Sequence, residues 1–298
     1  MLDRDELILV GSKNNSINIA KLEFDNDNFT INNLHNISPN NKIMLHSCLL
    51  YENSIYILDS FNNLLIKYSI ENSEYLECCT GKDPRHICKC LDYIYITNFE
   101  SDSVSIIDDK SCTLVGTITV GPKPHDILAN ELNTKLYIAC YEENEILEYD
   151  INSSEKKHLS IEGKPMHLIL FNNYLFVLSY SINGDISTEI YIINLDNYKT
   201  EKKYFINEIT SNFAYDEDTN KLFILAIESG TVYSLDLNSG QIKKQIHLNG
   251  YLEDISVDKQ YLYLANSSRN YISIIDKFNI NQIKNISLDF SPIYIKAI

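Results

Sequence analysis

Three observations predict an all-β fold: a seven-bladed β-propeller of four-stranded antiparallel blades. First, a short apolar run occurs seven times, beginning at Leu7, Ile55, Ile94, Leu136, Leu175, Leu222 and Leu262, with starts 39 to 48 residues apart. That period fits a blade of four strands. Second, alternation such as Ser103-Val104-Ser105-Ile106-Ile107-Asp108 has the period of two expected of strands, and no comparable window keeps a helical period of 3.6. Third, the two ends complement each other: the N-terminus lacks the strand that precedes every other apolar run, and Pro292-Ile293-Tyr294-Ile295-Lys296-Ala297-Ile298 ends the chain with no successor.

Taken in order, each blade opens on a strand near a Pro or His: Leu45-His46, Pro84-Arg85-His86-Ile87, Pro124-His125-Asp126-Ile127, Pro165-Met166-His167-Leu168, then 211–216 and 252–257. The apolar run follows as the next strand, and a third strand lies ten residues after that run begins, at Ile17, Leu65, Val104, Ile146, Val232 and Ile272. Only the fifth run slips, to Ile190, which puts an inserted rim loop around Tyr180-Ser181-Ile182-Asn183-Gly184-Asp185. The whole of 1–298 is read as one domain. Its seventh blade combines 1–38 with 291–298, a pairing that closes the ring and leaves no open edge.

Blade two reads Tyr95-Ile96-Thr97-Asn98, Ser103 to Asp108, then Leu114-Val115-Gly116-Thr117-Ile118-Thr119-Val120-Gly121 and Pro124. This resembles the Tyr-Val-Thr-Asn (YVTN) repeat propellers, seven-bladed proteins of microbial surface layers related to the haem d1 propeller of nitrite reductases. The resemblance is clearest in blades two and three, and it implies a fold far more than a function. The chain departs from that family in carrying only nine glycines and an acidic start, Asp3-Arg4-Asp5-Glu6, where an export signal needs a basic end and an apolar run. A cytoplasmic location is expected, with the seven cysteines as reduced thiols. The absence of Trp and of any Gly-Gly pair sets aside Trp-Asp, quinone-docking and kelch blades. Asn, Ile and Lys usage points to an AT-rich bacterial genome.

Charge narrows the partners. With 25 basic against 41 acidic side chains and a net charge of −16, the chain repels nucleic acid and anionic membrane. No apolar stretch is long enough to span a bilayer.

In a propeller, the entries to the innermost strands and the loops after the second strands open on one face, around the channel mouth. Three consecutive entries there carry Lys, Pro and His, giving Arg85, His86, Lys123, His125, Asp126, Lys164 and His167, while the loops add Asn98, Tyr141 and Tyr180. His46, Asn212, Asp254 and Tyr294 stand at the corresponding entries of other blades. One reading is a site for a small anionic ligand, with Arg85 and the lysines supplying charge and the histidines supplying donors. A second places a divalent metal (zinc, iron or manganese) on His86, Asp126 and His167. A third lets Pro and His simply shape the blade turns.

No cofactor is required by any motif, and no apolar floor for a haem is visible. Asp25-Asn26-Asp27-Asn28 lacks the glycine and glutamate of a calcium loop, and Asp216-Glu217-Asp218 reads as a solvated turn. No nucleophile motif occurs. The expected function is therefore a non-enzymatic binding or scaffold propeller holding a protein partner or a small anion. The alternative is a metal-dependent or acid-base lactonase or lyase, in which His86 or His167 moves a proton and Arg85 or Lys123 holds the substrate.

Overall fold

The computed structural model describes residues 6–25, 28–39, 41–130, 132, 134–183, 185–280 and 282–298. They form seven four-stranded antiparallel sheets, and the fold is a seven-bladed β-propeller. The strands run β1 (Glu6–Lys13), β2 (Ser16–Asp25) and β3 (Asn28–Ile37); β4 (Leu45–Tyr51), β5 (Ser54–Asp59), β6 (Leu64–Ser69) and β7 (Tyr75–Cys79); β8 (Pro84–Cys90), β9 (Tyr93–Asn98), β10 (Ser103–Asp108) and β11 (Thr113–Thr119). They continue as β12 (Pro124–Asn130), β13 (Lys135–Cys140), β14 (Glu145–Asp150) and β15 (Lys156–Ser160); β16 (Lys164–Phe171), β17 (Tyr174–Asn183), β18 (Asp185–Asn194) and β19 (Lys199–Ile206). The last are β20 (Thr210–Asp216), β21 (Lys221–Ala226), β22 (Thr231–Asp236) and β23 (Ile242–His247); then β24 (Leu252–Val257), β25 (Tyr261–Asn266), β26 (Tyr271–Asp276), β27 (Gln282–Ser287) and β28 (Ser291–Ala297).

β28 joins the N-terminal sheet, pairing with β1 from Leu7↔Ala297 to Ser12↔Ser291. Among the described residues no helix is long and apolar enough to cross a membrane. The blades fall into two compact units. One holds Met1–Lys42 with Glu208–Ile298, the other Ile43–Asn207.

Burial within a blade explains the sequence pattern. The second strands, such as Ile55 to Asp59 in β5 and Ile94 to Asn98 in β9, are buried on both faces, so they open on unbroken apolar runs, Ile55 to Leu58 and Ile94 to Ile96. Outer strands such as β7 and β15 bury only one residue of five, and their composition is correspondingly polar. Leu136, Ile138 and Leu147 of one blade pack with Val104 and Ile118 of the blade before it, so the core is a series of apolar layers between blades.

Tight turns are made with few glycines because Asn takes the left-handed conformation, as at Asn63, Asn144, Asn172, Asn220 and Asn270. Aspartates at the ends of third strands cap the turns to the outer strands. Asp150 accepts the amides of Asn152 and Ser153, and Asp236 and Asp276 repeat the pattern on Asn238 and Ser239 and on Phe278 and Asn279. Part of the chain's acidity is therefore turn chemistry.

Two expectations change. The five extra residues near Asn183 extend a hairpin instead of forming a loop: β17 and β18 stay paired out to Ile182↔Ile186 and Asn183↔Asp185, with Gly184 outside the described residues. Asp216 is not solvated. It is buried, and with Asp218 it holds the Nζ of the fully buried Lys277 at 2.7 and 2.9 Å, because a charge removed from water needs partners. Of the calcium-like Asp25 to Asn28 segment, Asn26 and Asp27 lie outside the described residues.

Candidate functional site

The site belongs to the four blades of the Ile43–Asn207 unit, whose first strands β4, β8, β12 and β16 lie side by side. Each of these strands carries a β-bulge just after it begins, between Leu45 and Cys48, Pro84 and Ile87, Pro124 and Ile127, and Pro165 and His167. A bulge breaks the in-and-out alternation, so two successive side chains can both be aimed away from the blade core. The register places His46, Arg85 and His125 at the first bulge position and His86, Asp126 and His167 at the second. His46 is thus the counterpart of Arg85 and His125, one residue before the register of His86.

The bulged backbone needs partners for its polar groups, and Thr97 supplies them. Its buried Oγ1 accepts from the His86 amide at 3.0 Å and donates to the His125 carbonyl at 2.8 Å, tying two neighbouring strands at the residues that carry the histidines. Asp126 makes the next tie. Oδ1 accepts its own neighbour's amide, Ile127 N, at 2.7 Å, and Oδ2 accepts Leu168 N of the following blade at 2.8 Å.

Four imidazoles meet here. Ring centroids lie 5.4 Å apart for His46 and His86, 5.7 Å for His46 and His125, 5.0 Å for His86 and His125, 4.9 Å for His86 and His167, and 5.2 Å for His125 and His167. Nitrogen atoms of His46, His86 and His125 all fall within 4.8 Å of one another, as do ligand atoms of His86, Asp126 and His167. The His125 Nδ1 is 2.8 Å from the Met166 carbonyl oxygen, which can only accept, so Nδ1 carries the proton and Nε2 keeps its lone pair. Asp126 faces two rings, with Oδ1 3.3 Å from His86 Nδ1 and Oδ2 3.7 Å from His167 Nδ1. His86 Nε2 is buried with no hydrogen-bond partner.

Electrostatics keep three of these rings, His46, His86 and His125, neutral. Burial holds His46 and His125 well below the usual imidazole range, and the fields of the other histidines add to it. Burial also lowers His86 to about 4, against the opposing pull of Asp126. Burial alone would raise Asp126, but His86, His167 and the Leu168 amide outweigh it and hold the carboxyl at about 2. At neutral pH the cluster holds an ionised Asp126 carboxylate beside the uncharged, metal-competent imidazoles of His46, His86 and His125.

The expected cationic arc is present but spoken for. Arg85 Nη2 donates to Asp83 Oδ2 at 2.6 Å, Lys123 pairs with Glu100, and Lys164 Nζ lies 3.1 Å from Glu142 Oε2. Arg85 and Lys123 both lie over the Phe99 ring, at 4.6 and 4.9 Å, and Lys164 lies over Tyr141 at 5.4 Å. Phe99 in turn touches His125, with centroids 6.1 Å apart, and Tyr141, at 6.2 Å. Burial, with a smaller contribution from Tyr141, pushes the Tyr180 phenol up to about 12. Asn98 does not join this group. It is fully buried in its own blade, donating to Ser103 and Ser105.

The structure brings together His86, His125, Asp126 and His167. It adds His46 and Thr97, and it leaves Arg85, Lys123 and Lys164 in ion pairs at the edge. Leu45-His46 was visible in the repeat, but its membership depends on the bulge register. Thr97 had no signal beyond lying in the Tyr-Ile-Thr-Asn run.

Fold and site together define a seven-bladed propeller with a four-histidine cluster at its strand entries, His125 buried and His46, His86 and His167 half-buried. No family model and no curated protein matches the chain, and the likeness to solved structures is one of fold. A candidate 6-phosphogluconolactonase from Bacteroides uniformis superposes with a TM-score of 0.76 at 15% identity, covering 99% of this chain and 100% of that one. Citrobacter koseri AztD gives 0.69 at 13% identity, with coverage of 99% and 98%. The dihydro-heme d1 dehydrogenase NirN in complex with DHE gives 0.72 at 14%, covering 95% of this chain and 63% of that one.

Proposed function

We infer that this chain is a metal-binding propeller that holds one first-row transition ion of the zinc class in the four-histidine cluster. The observation that carries the reading is the clustering of four of the chain's seven histidines, drawn from four successive blades, with ligand atoms of His46, His86 and His125 within 4.8 Å of one another and His86 Nε2 buried with no hydrogen-bond partner. A buried imidazole nitrogen left unpaired costs free energy in the metal-free protein, and a bound ion would relieve that cost. Neutral imidazole suits zinc, copper, nickel and ferrous iron. Zinc–nitrogen bonds of about 2.0–2.1 Å require the ligand atoms to close in from their present spread of up to 4.8 Å.

A free-anion site draws less support, because each cation named for it already meets a carboxylate. Acid catalysis by His46, His86 or His125 draws less still, since these depressed rings are not imidazolium at neutral pH. The binding role and membership of the Tyr-Val-Thr-Asn repeat class, supported by the Tyr95 to Asn98 run, belong to the same proposal.

The test is metal content. The protein is equilibrated with zinc, desalted, and measured by elemental mass spectrometry. One ion per chain is expected for the parent, at least a tenfold lower occupancy for His86→Ala or His125→Ala, and no change for His158→Ala, whose exposed ring pairs with Glu145 instead. A parent that retains no more zinc than the His86→Ala variant would sink the reading.

A further inference from the structure

The geometry points to a coordination sphere made only of imidazole nitrogens: His46, His86 and His125, whose ligand atoms lie within 4.8 Å of one another, form its base and His167, edge-on to the rings of His86 and His125, completes it, with Asp126 behind as the carboxylate that orients His86 and His167. This rests on the metal reading above and specifies the ion class: one that prefers nitrogen, such as zinc, cobalt, nickel or copper, and not the oxygen-seeking magnesium, calcium or manganese.

Both oxygens of Asp126 already have backbone work. Each accepts an amide, at 2.7 and 2.8 Å, and each also faces a histidine Nδ1, at 3.3 and 3.7 Å. A carboxylate next to Nδ1 stabilises the tautomer that carries its proton there, which turns the Nε2 lone pair away from Asp126. His86 shows the result, with its Nε2 buried and unpaired on the far side of the ring. His125 reaches the same tautomer through the Met166 carbonyl.

The chain contains its own comparison. Asp254, at the equivalent bulge of β24, accepts Ile255 N at 2.9 Å through Oδ1 and Ile295 N at 3.0 Å through Oδ2. The backbone clamp is therefore a blade-joining device that operates where the following blade offers Tyr294, not histidine, at the matching register. At Asp126 the same device has histidines at its back. Pulling Asp126 inward as a metal ligand would strip the clamp from Ile127 and Leu168.

The experiment loads the full chain with cobalt(II) and compares the parent with Asp126→Asn and Asp254→Asn. Asn keeps the size and one acceptor oxygen but loses the charge. Asp126→Asn is expected to weaken cobalt binding ten- to a hundredfold while leaving the visible absorption bands of bound cobalt in place, because no ligand is lost. Both variants are expected to lower the melting temperature by similar amounts, since each weakens a backbone clamp, but Asp254→Asn is expected to leave cobalt affinity unchanged. Manganese or magnesium at a hundredfold excess should not displace the cobalt.

Shifted bands or abolished binding in Asp126→Asn would make Asp126 a ligand and overturn the proposal, and so would unchanged affinity. Should that variant not fold, nitrogen-15 histidine spectra of the zinc-loaded parent decide: Nε2-bound, Nδ1-protonated His86 and His167 are expected, and Nδ1-bound metal would overturn it. A parent that binds no cobalt at all removes the metal reading itself, a different failure from any of these.

Discussion

A histidine kept neutral by its surroundings stabilises the fold only while the solution leaves it neutral elsewhere too. In the unfolded chain these rings take up protons near pH 6.5, whereas His86 in the fold resists until about 4, and His46 and His125 also sit well below the ordinary value. Stability is then fully present above about pH 6.5 and drains as the pH falls toward 4, by up to about 1.4 kcal/mol per pH unit for each proton the unfolded chain takes up alone. Asp126, held at about 2, adds its loss only below the ordinary carboxylate value of 3.8. The melting temperature of the metal-free protein should fall between pH 7 and 5, and His86→Gln should flatten that decline; equal slopes in both would contradict the assigned neutrality.

At the same scale lies the limit of what residue types reveal. The Lys-Pro-His entries were legible as a cluster, but their lysines and Arg85 looked free because Glu100, Glu142 and Asp83 meet them only in three dimensions. His46 fell outside the proposed ligands for a related reason: its direction is set by a bulge, and a bulge shifts the count by one residue without leaving a mark in composition.

At the scale of the element, the bulge and the loop that leads into it matter most. Gly163, just before β16, has φ at +86°, and a Cβ there would lie 2.5 Å from the Tyr180 carbonyl oxygen. Gly163→Ala should therefore cost more than about 1 kcal/mol, because both the backbone conformation and the space are wrong. Gly116, inside β11, would place its Cβ no closer than 3.4 Å to the Ile106 side chain, so Gly116→Ala should move the melting temperature little. Thermal melts of the pair check this, and a Gly163→Ala variant as stable as Gly116→Ala would refute it.

Strands themselves were readable because a doubly buried second strand is apolar along most of its length, with polar residues such as Asp59, Thr97 and Asn98 only at its end. The lengthened β17–β18 hairpin was misread as a loop because Asn-Gly marks a turn without saying how far pairing runs before it. Lys277 was missed for the opposite reason. One lysine among exposed lysines gives no sign that its Nζ ends between Asp216 and Asp218.

Across the whole molecule, the repeat made the blade count legible. Seven apolar runs predict seven sheets, and the missing first strand predicts where the last one must go. β28 fills that place, and it also receives the Asp254 and Ser256 contacts of the neighbouring blade, through Ile295 N and Ala297 N at 3.0 Å each. Removing 292–298 would expose the length of β1 and orphan these partners together. The truncated chain is expected to lose its cooperative melt, by calorimetry, instead of merely fraying at one end; a melting temperature within about 2 degrees of the parent would show that β28 is dispensable.

The pairing of β1 with β28 also sets a schedule for synthesis. β1 ends at Lys13 and β28 begins at Ser291, so a ribosome adding about 5–20 residues per second leaves roughly 14 to 56 seconds between them. Through that interval β1 has β2 on one side and nothing of its own chain on the other, an apolar edge able to pair with a neighbouring nascent copy. The length of that wait makes translation speed and chaperone cover, more than final stability, the quantities that should govern how much of this protein a cell recovers in native form.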